Sequence, residues 1–551
     1  MIAKTSQKLQ KNSKVSSKTN TSGLWSSAST WLDNIVPSSS SNVVINHDVS
    51  ISSNENITIS SIEIKSTKTL TQNLNSKLTL TGTLTNNGTL TLENGATFLQ
   101  DPLSTITSGT TGTYNVKQTV TGAGGATATG RFWYMGVPLN SLTRGAAFGN
   151  DGADNRLWSW SESSQAWSTP ISNATTLTPT TGYVFRTGAT STTLNFSGTS
   201  LYSADASITG LTNSTGSFDG CHLMSNPYTA YLDWEAVIAA AGTTNLSSTY
   251  CVRSYNSTNS EMVYDTYNAT GDVSVNPSGV AMTRYIAPMQ AFWITVDPST
   301  TGTLSMTKAM LSHQAGAVGL KDITSFPAFA RLNLVSGNFY DQVVVYTDAN
   351  ANAELEDYDS KKFFLPNKAQ VYCPVGNEKL VINALKQGKA QTSAPLTVEL
   401  PSTQVYKFEM AESFVENGLV ILEDKQEGIF QDMGVNPIYE FFGNSGVIAD
   451  RFVLHFQLPN GTNNEGQAGI EDLTSGQIAV IANHDGAITV ALSADLTTSG
   501  DIQIFDGAGR LVAQKAITSA QTSLQLSNGI GVYFVRVQTP MKTEMKKVMV
   551  Y

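Results

Sequence analysis

Between residues 43 and 92 the apolar positions alternate: Val43 and Ile45, Ile57 and Ile59, Ile62 and Ile64, Leu78 and Leu80, Leu90 and Leu92. A period of two sends successive side chains to opposite faces, so these are short strands with one buried face. The stretch "LTLTGTLTNNG" is loosely echoed by "LTLENGATFLQ", and each holds an Asn-Gly turn. Strands and turns repeating in this way predict the stacked rungs of a β-solenoid over 23–113, with a twisted meander as the alternative. Just ahead, Trp25 and Trp31 in "SGLWSSASTWLDN" predict a packed aromatic cap.

From 114 to 316 the texture changes. Aromatic strands such as "GRFWYMGVPL", "TGYVFRT" and "YIAPMQAFWITV" are separated by Gly, Pro and Ser, the pattern of one or two β-sandwich modules. One short helix is predicted at "LDWEAVIAAAG", with Asp233 as N-cap and Gly242 beyond its end. Residues 317–329 read as a linker. Clean alternation over 330–458 predicts an antiparallel β-sandwich. The run "PNGTNNEGQAG" marks a second linker, 459–469. A small β module closes the chain at 470–551, ending on a strand pair at residues where chain ends usually fray. The fold class is therefore all-β.

Composition adds exclusions. The chain has 551 residues, only 14% of them charged, and a formal net charge of −10. That balance excludes the basic stripe of a nucleic-acid binder, and no apolar run reaches the roughly 18 residues of a membrane helix. Lys4, Lys8, Lys11, Lys14 and Lys18 lie on one helical face with little apolar opposite them, so 1–22 reads as a disordered basic tail. A signal peptide needs about 7–15 apolar residues behind its basic region. None follows. Cys221, Cys251 and Cys373 fit no zinc spacing. Cys221 and Cys251 share a module and are expected either as buried free thiols or as a pair.

Catalytic chemistry is sparse. His47, His222, His313, His455 and His484 fall in different modules, and no metalloprotease, nucleophile-elbow or phosphate-loop motif occurs. Absence of catalysis is the expectation, with paired carboxylates acting on a polysaccharide as the rival, since they leave no local signature. In "DANANAELEDYD", Asp348, Asn350, Asn352, Glu354, Glu356 and Asp359 occupy alternate ligand positions of a calcium-loop pattern. Ala353 stands in the glycine slot and Asp359 in place of a bidentate Glu. The stretch reads either as a Ca²⁺ site or as an acidic, solvated strand connection. Trp158, Trp160 and Trp167 in "LWSWSESSQAWS" read as core packing or as a sugar-stacking face.

The last module carries a family resemblance. "GDIQIFDGAGRLVAQKAI", "TSLQLSNGIGVYFVRVQT" and "KTEMKKVMVY" together resemble the C-terminal sorting domains of type IX secretion clients in Gram-negative bacteria. The matching positions are the Asp506-Gly507-Ala508-Gly509-Arg510 turn, Gly529 ahead of the strand bearing Tyr533, Val535 and Val537, and Lys546-Lys547-Val548 at the end. The resemblance implies a small seven-stranded, Ig-like sandwich recognised by the outer-membrane export machinery. It also implies an extracellular destination or anchorage at the outer-membrane surface, reached by way of a signal peptide; with none visible, the chain reads as truncated or internally started. Gly531 and Val532 lengthen the usual approach to this strand, which is expected to shift its register. In the body, "GCHLMSNPYTAYLDW", "YIAPMQAFWITV" and "RLNLVSGNFYDQVVVYTDANANAELEDYDSKKF" resemble recurring segments of the large non-enzymatic surface proteins that carry such signals, so the chain reads as a structural, adhesin-like protein. Polysaccharide and environmental glycans are its candidate partners, and a carbohydrate-binding or polysaccharide-degrading protein is the alternative.

Overall fold

The computed structural model describes residues 16–109, 111–122, 131–313, 323–387, 391–415, 418–457, 478–482, 487–493, 496, 499–526 and 531–550. They form two compact units, 1–253 with 283–318, and 254–282 with 319–551.

The first unit opens with the solenoid. Strands stack in parallel register on three faces over about five turns. Order begins earlier than the sequence suggests: Ser16–Lys18 pairs with Asn42–Ile45, so residues 16–22 are not a tail. Trp25 and Trp31 do cap the stack, edge to face at 5.0 Å, with Trp31 Nε1 donating to the Trp25 carbonyl. Leu78 stacks on Phe98 and Leu84 on Ile106, 20 and 22 residues apart. The true repeat is thus nearly twice the echo seen between the two quoted stretches. One corner recurs at Asn54, Asn75 and Gly95, all with positive φ. Asn tolerates that conformation and Gly adopts it freely. A Cβ on Gly95 would also meet Asn75 Oδ1 at 2.4 Å.

No boundary falls at 113/114. Strand Thr113–Thr121 continues the solenoid sheet beside Thr89–Leu92, and Ser191–Gly198 pairs antiparallel on its far side, closing the parallel stack. Phe148 packs against Phe185 and Phe196 in the same core. The helix at Trp234–Ala239 forms as predicted, with Asp233 accepting from the Ala236 amide. A second, Arg144–Phe148, was not anticipated; its Arg144 is fully buried among carbonyl and amide oxygens. Cys221 and Cys251 are buried thiols, not joined in a disulfide, on the strands flanking Ala291–Thr295, and Cys373 is a buried thiol as well.

The second unit centres on one eleven-stranded sheet. Its inward residues, Leu332, Leu396, Phe408, Leu422 and Phe452 among them, share a single core. Pairing is antiparallel as expected except where Phe339–Asp348 runs parallel to Glu378–Lys386. The segment 254–282, assigned by sequence to the preceding module, belongs to this unit. Val273 and Val275 pack on Phe329, Val344 and Tyr346, whose side chains leave the sheet on the face away from the main core. The expected linker 317–329 is partly built in: Ile323–Ser325 is a 3-10 turn, Phe326 is buried, and strand Ala328–Ser336 has already begun. The linker at 459–469 lies outside the described residues.

Candidate functional site

The terminal module has seven described strands in two sheets. Ile478–Ala482, Ala487–Leu492 and Gln521–Gln525 make one; Leu511–Ala516, Asp501–Asp506, Gly531–Gln538 and Thr543–Val550 make the other. Ile488, Ile502, Ile504, Val535 and Val537 are fully buried between them. Thr543–Val550 pairs with Gly531–Gln538 over all eight residues and forms the sheet's edge. Register there is unbroken, so the Gly531-Val532 insertion does not shift it. The irregularity falls instead between Ile504 and Phe505, beside the Asp506 turn.

That turn is a side-chain-stapled structure. Asp506 Oδ1 accepts from the amides of Ala508 and Arg510 at 3.0 and 2.9 Å, and Oδ2 from Arg510 Nε at 2.7 Å. Arg510 Nη2 reaches the same oxygen at 2.7 Å. An Asp accepting from its own downstream amides builds the turn geometry directly. These donors, the Arg510 amide foremost, hold the Asp506 carboxyl below its usual range. Gly509 has φ +78° with open space where a Cβ would stand, so its role is backbone conformation; Gly507 shows no positive φ.

Tyr533 and Val535 face inward, buried. Period two then places Lys546 on the same inner face as Val548 and Val550, with Lys547 outward. Lys546 Nζ bonds Glu544 at 2.8 Å and its side chain is 19% exposed, while Lys547 is exposed. Sequence had treated the two as equivalent. Gly529 lies outside the described residues.

Most of the six calcium candidates are engaged in hydrogen bonds within the protein. Asp348 Oδ1 accepts from the Asn350 amide, Asn352 Nδ2 donates to Glu356, and Glu354 is exposed. Asp359 is buried, its two oxygens taken by the amides of Ala384 at 2.8 Å and Glu356 at 3.1 Å. Burial pushes its pKa up to about 6. Among the described residues no three Asp, Glu, His or Cys side chains converge as a metal-holding group.

Trp158 and Trp160 leave the same face of strand Asn155–Ser161, two residues apart. Trp158 contacts Phe132 and the Arg186 guanidinium. Trp160 sits edge to face with Trp167, Phe218 and Trp293, and Trp167 remains 41% exposed. Four histidines are anchored separately: His47 on Thr19, His222 on the Thr212 carbonyl, His313 between Thr79 and Thr97, and His455 on Ser393 and Glu423. His484 is outside the described residues. The last of the four is a constellation the sequence did not disclose. Ser393 Oγ lies 2.7 Å from His455 Nδ1, and His455 Nε2 lies 3.0 Å from Glu423 Oε2. Ser393 and His455 are direct cross-strand partners, and Glu423 is on the next strand. No local motif marks it, because the three come from separate strands.

No helix among the described residues is long and apolar enough to cross a membrane. A family described as a domain of unknown function (DUF8693) matches residues 16–456. A second, described as a secretion system C-terminal sorting domain, matches residues 484–551. No curated protein matches. Among solved structures, PorZ, an essential bacterial surface component of the type IX secretion system of Porphyromonas gingivalis, is 10% identical. The match covers 72% of this chain and 68% of that one, with a TM-score of 0.12, too loose a likeness to carry an argument. The sorting module makes the protein a secreted client of type IX export machinery, bound for the extracellular space or the outer-membrane surface. Over most of its length the chain belongs to the family defined by that domain of unknown function, DUF8693.

Proposed function

We propose that residues 16–456 form a non-enzymatic, adhesin-like body displayed at the cell surface after the terminal module has been read by the export machinery. The observation that carries this reading is how the polar groups are used. The described histidines are each fixed to structural partners in separate places. Ser393, His455 and Glu423 form a polar row across paired strands, the sheet's ordinary cross-strand contact. The nucleophile of an α/β-hydrolase instead stands on a sharp strand-to-helix turn at the top of its sheet. Purified full-length protein, screened against polysaccharides, peptides and esters, is expected to show no turnover. Turnover abolished by Ser393→Ala, or by one carboxylate substitution, would overturn the proposal. Display is tested separately: cells exporting the full chain should adhere to glycan-coated surfaces better than cells exporting the sorting module alone.

A carbohydrate-binding role is the second reading, supported by the half-exposed Trp167 on its aromatic cluster.

A further inference from the structure

In the second unit a cleft of about 480 Å³ opens on the sheet face away from the main core, lined by Asp272, Asn276, Phe329, Arg331, Gln342 and Glu412 among others. Its volume falls within the roughly 300–1,000 Å³ of small-molecule sites. Arg331 forms its floor and is nine-tenths buried. Nε donates to Glu412 Oε2 at 2.8 Å, and Nη1 donates to the Ser274 carbonyl at 2.6 Å and Gln342 Oε1 at 3.0 Å. Gln342 is itself fixed, donating to Asn333 Oδ1 and accepting from the Asn276 amide. These bonds use the Nε hydrogen and both Nη1 hydrogens, leaving the two on Nη2 without an acceptor among the described residues. With Nε and Nη1 held in this way, the third nitrogen of the guanidinium, Nη2, is a fixed donor open to a polar group in the cleft.

The backbone is shaped for this arrangement. Pairing between Ala328–Ser336 and Gln404–Val415 shifts register between Arg331 and Leu332, placing Glu412 opposite Arg331 and Met410 opposite Leu332. A bulge of this kind re-aims a side chain, and bulges recur beside functional sites. Here it brings the Glu412 carboxylate to the guanidinium at the cleft.

We infer that the cleft binds a neutral, hydroxyl-rich ligand: the end of an uncharged glycan. The charge balance selects it. Glu412 already neutralises Arg331, and Asp272, held by the Tyr267 hydroxyl at 2.8 Å, adds a second carboxylate to the wall. A further anion would meet net negative charge. A sugar hydroxyl can accept from Nη2 while donating to a carboxylate, and its apolar face can lie on the wall that includes Ile323 and Val273.

The inference stands on the cleft and would survive failure of the adhesion assay, because binding is read on purified protein. The test is saturation-transfer NMR on the full-length protein with methyl glycosides of the neutral hexoses, and with glucuronic acid as the anionic counterpart. At least one neutral glycoside should bind, more strongly than glucuronate. Ala281→Trp, at the exposed mouth, should weaken that binding tenfold or more with melting unchanged; Arg331→Met should do the same where it folds. Absence of any neutral binding, preference for glucuronate, or binding indifferent to Ala281→Trp would each overturn the assignment.

Discussion

The solenoid and the terminal sorting module are both built from short strands, yet they hold their shape in opposite ways. In the solenoid each strand lies in parallel register on its equivalent one turn earlier, and the corner at Asn54, Asn75 and Gly95 repeats with it. Its stability accumulates from neighbour to neighbour. The sorting module has no repeat. Its shape depends on long-range antiparallel pairing that ends in an edge strand, and on one turn held by a single carboxylate. A repeated structure distributes the effect of damage, whereas a module read by its shape concentrates information in a few places. Substitutions in the first should therefore change stability and leave export alone, whereas substitutions in the second should lower export out of proportion to their effect on stability.

The largest expected effect is in the solenoid core. Phe98, fully buried on Leu78, should cost about 3–5 kcal/mol on replacement by Ala. Hydrogen exchange should show lost protection across the neighbouring rungs, with secreted protein per synthesised chain unchanged. Loss of export from Phe98→Ala in a stably folded variant would break the comparison.

Acidity should separate the two units next. Asp359 has a folded pKa of about 6 against an ordinary value of 3.8, so the unfolded chain gives up this proton first. Its contribution is greatest below about pH 4 and is lost as pH rises through 6, on the order of 3 kcal/mol in all. His313, packed between Thr79 and Thr97 on the solenoid, is lowered by burial to about 4 from 6.5. Its contribution is present above pH 6.5 and lost as pH falls toward 4. Exchange protection near Glu378–Lys386 should thus rise from pH 7 to 5 while that at Lys77–Leu80 falls. Asp359→Leu should flatten the first response, His313→Gln the second.

A glycine comparison is finer. Gly95→Ala carries the strain of positive φ, about 1–2 kcal/mol, plus a clash with Asn75; Gly509→Ala carries the strain alone. Thermal melts should rank Gly95→Ala as the more damaging to its own region. Smallest of all, Lys546→Gln loses a partly buried pair with Glu544, whereas Lys547→Gln loses an exposed charge, so only the first should measurably loosen the terminal strand, by up to about 1 kcal/mol.

These contrasts track what the sequence disclosed. Alternation in "LTLTGTLTNNG" was enough to reveal strands, because period two is local. The repeat length was not, since rungs 20 and 22 residues apart are similar in pattern rather than identity, and a nearer echo misled. The Asp506 turn was legible because its donors and acceptors lie within five residues. The Arg331 cleft was invisible, for it needs the register of strands about 80 residues apart and the bulge that aligns them. Residues 254–282 were misplaced for the same reason: their apolar positions look alike whichever sheet they cover. Asp359 read either as a calcium ligand or as part of a solvated connection, because neither its burial nor its two amide donors appear in a run of acidic residues.

The most direct test concerns the terminal strand. Full-length protein behind a signal peptide is expressed in a type IX-competent host, with and without "KKVMVY", and cells, periplasm and medium are fractionated. Deleting these residues removes the edge strand facing Gly531–Val535 and exposes a new edge. The truncated protein should accumulate in the periplasm with the exchange protection of its body, 16–456, unchanged. Undiminished arrival at the surface or in the medium would contradict that expectation, and would mean that the ending is only the last strand of an ordinary domain.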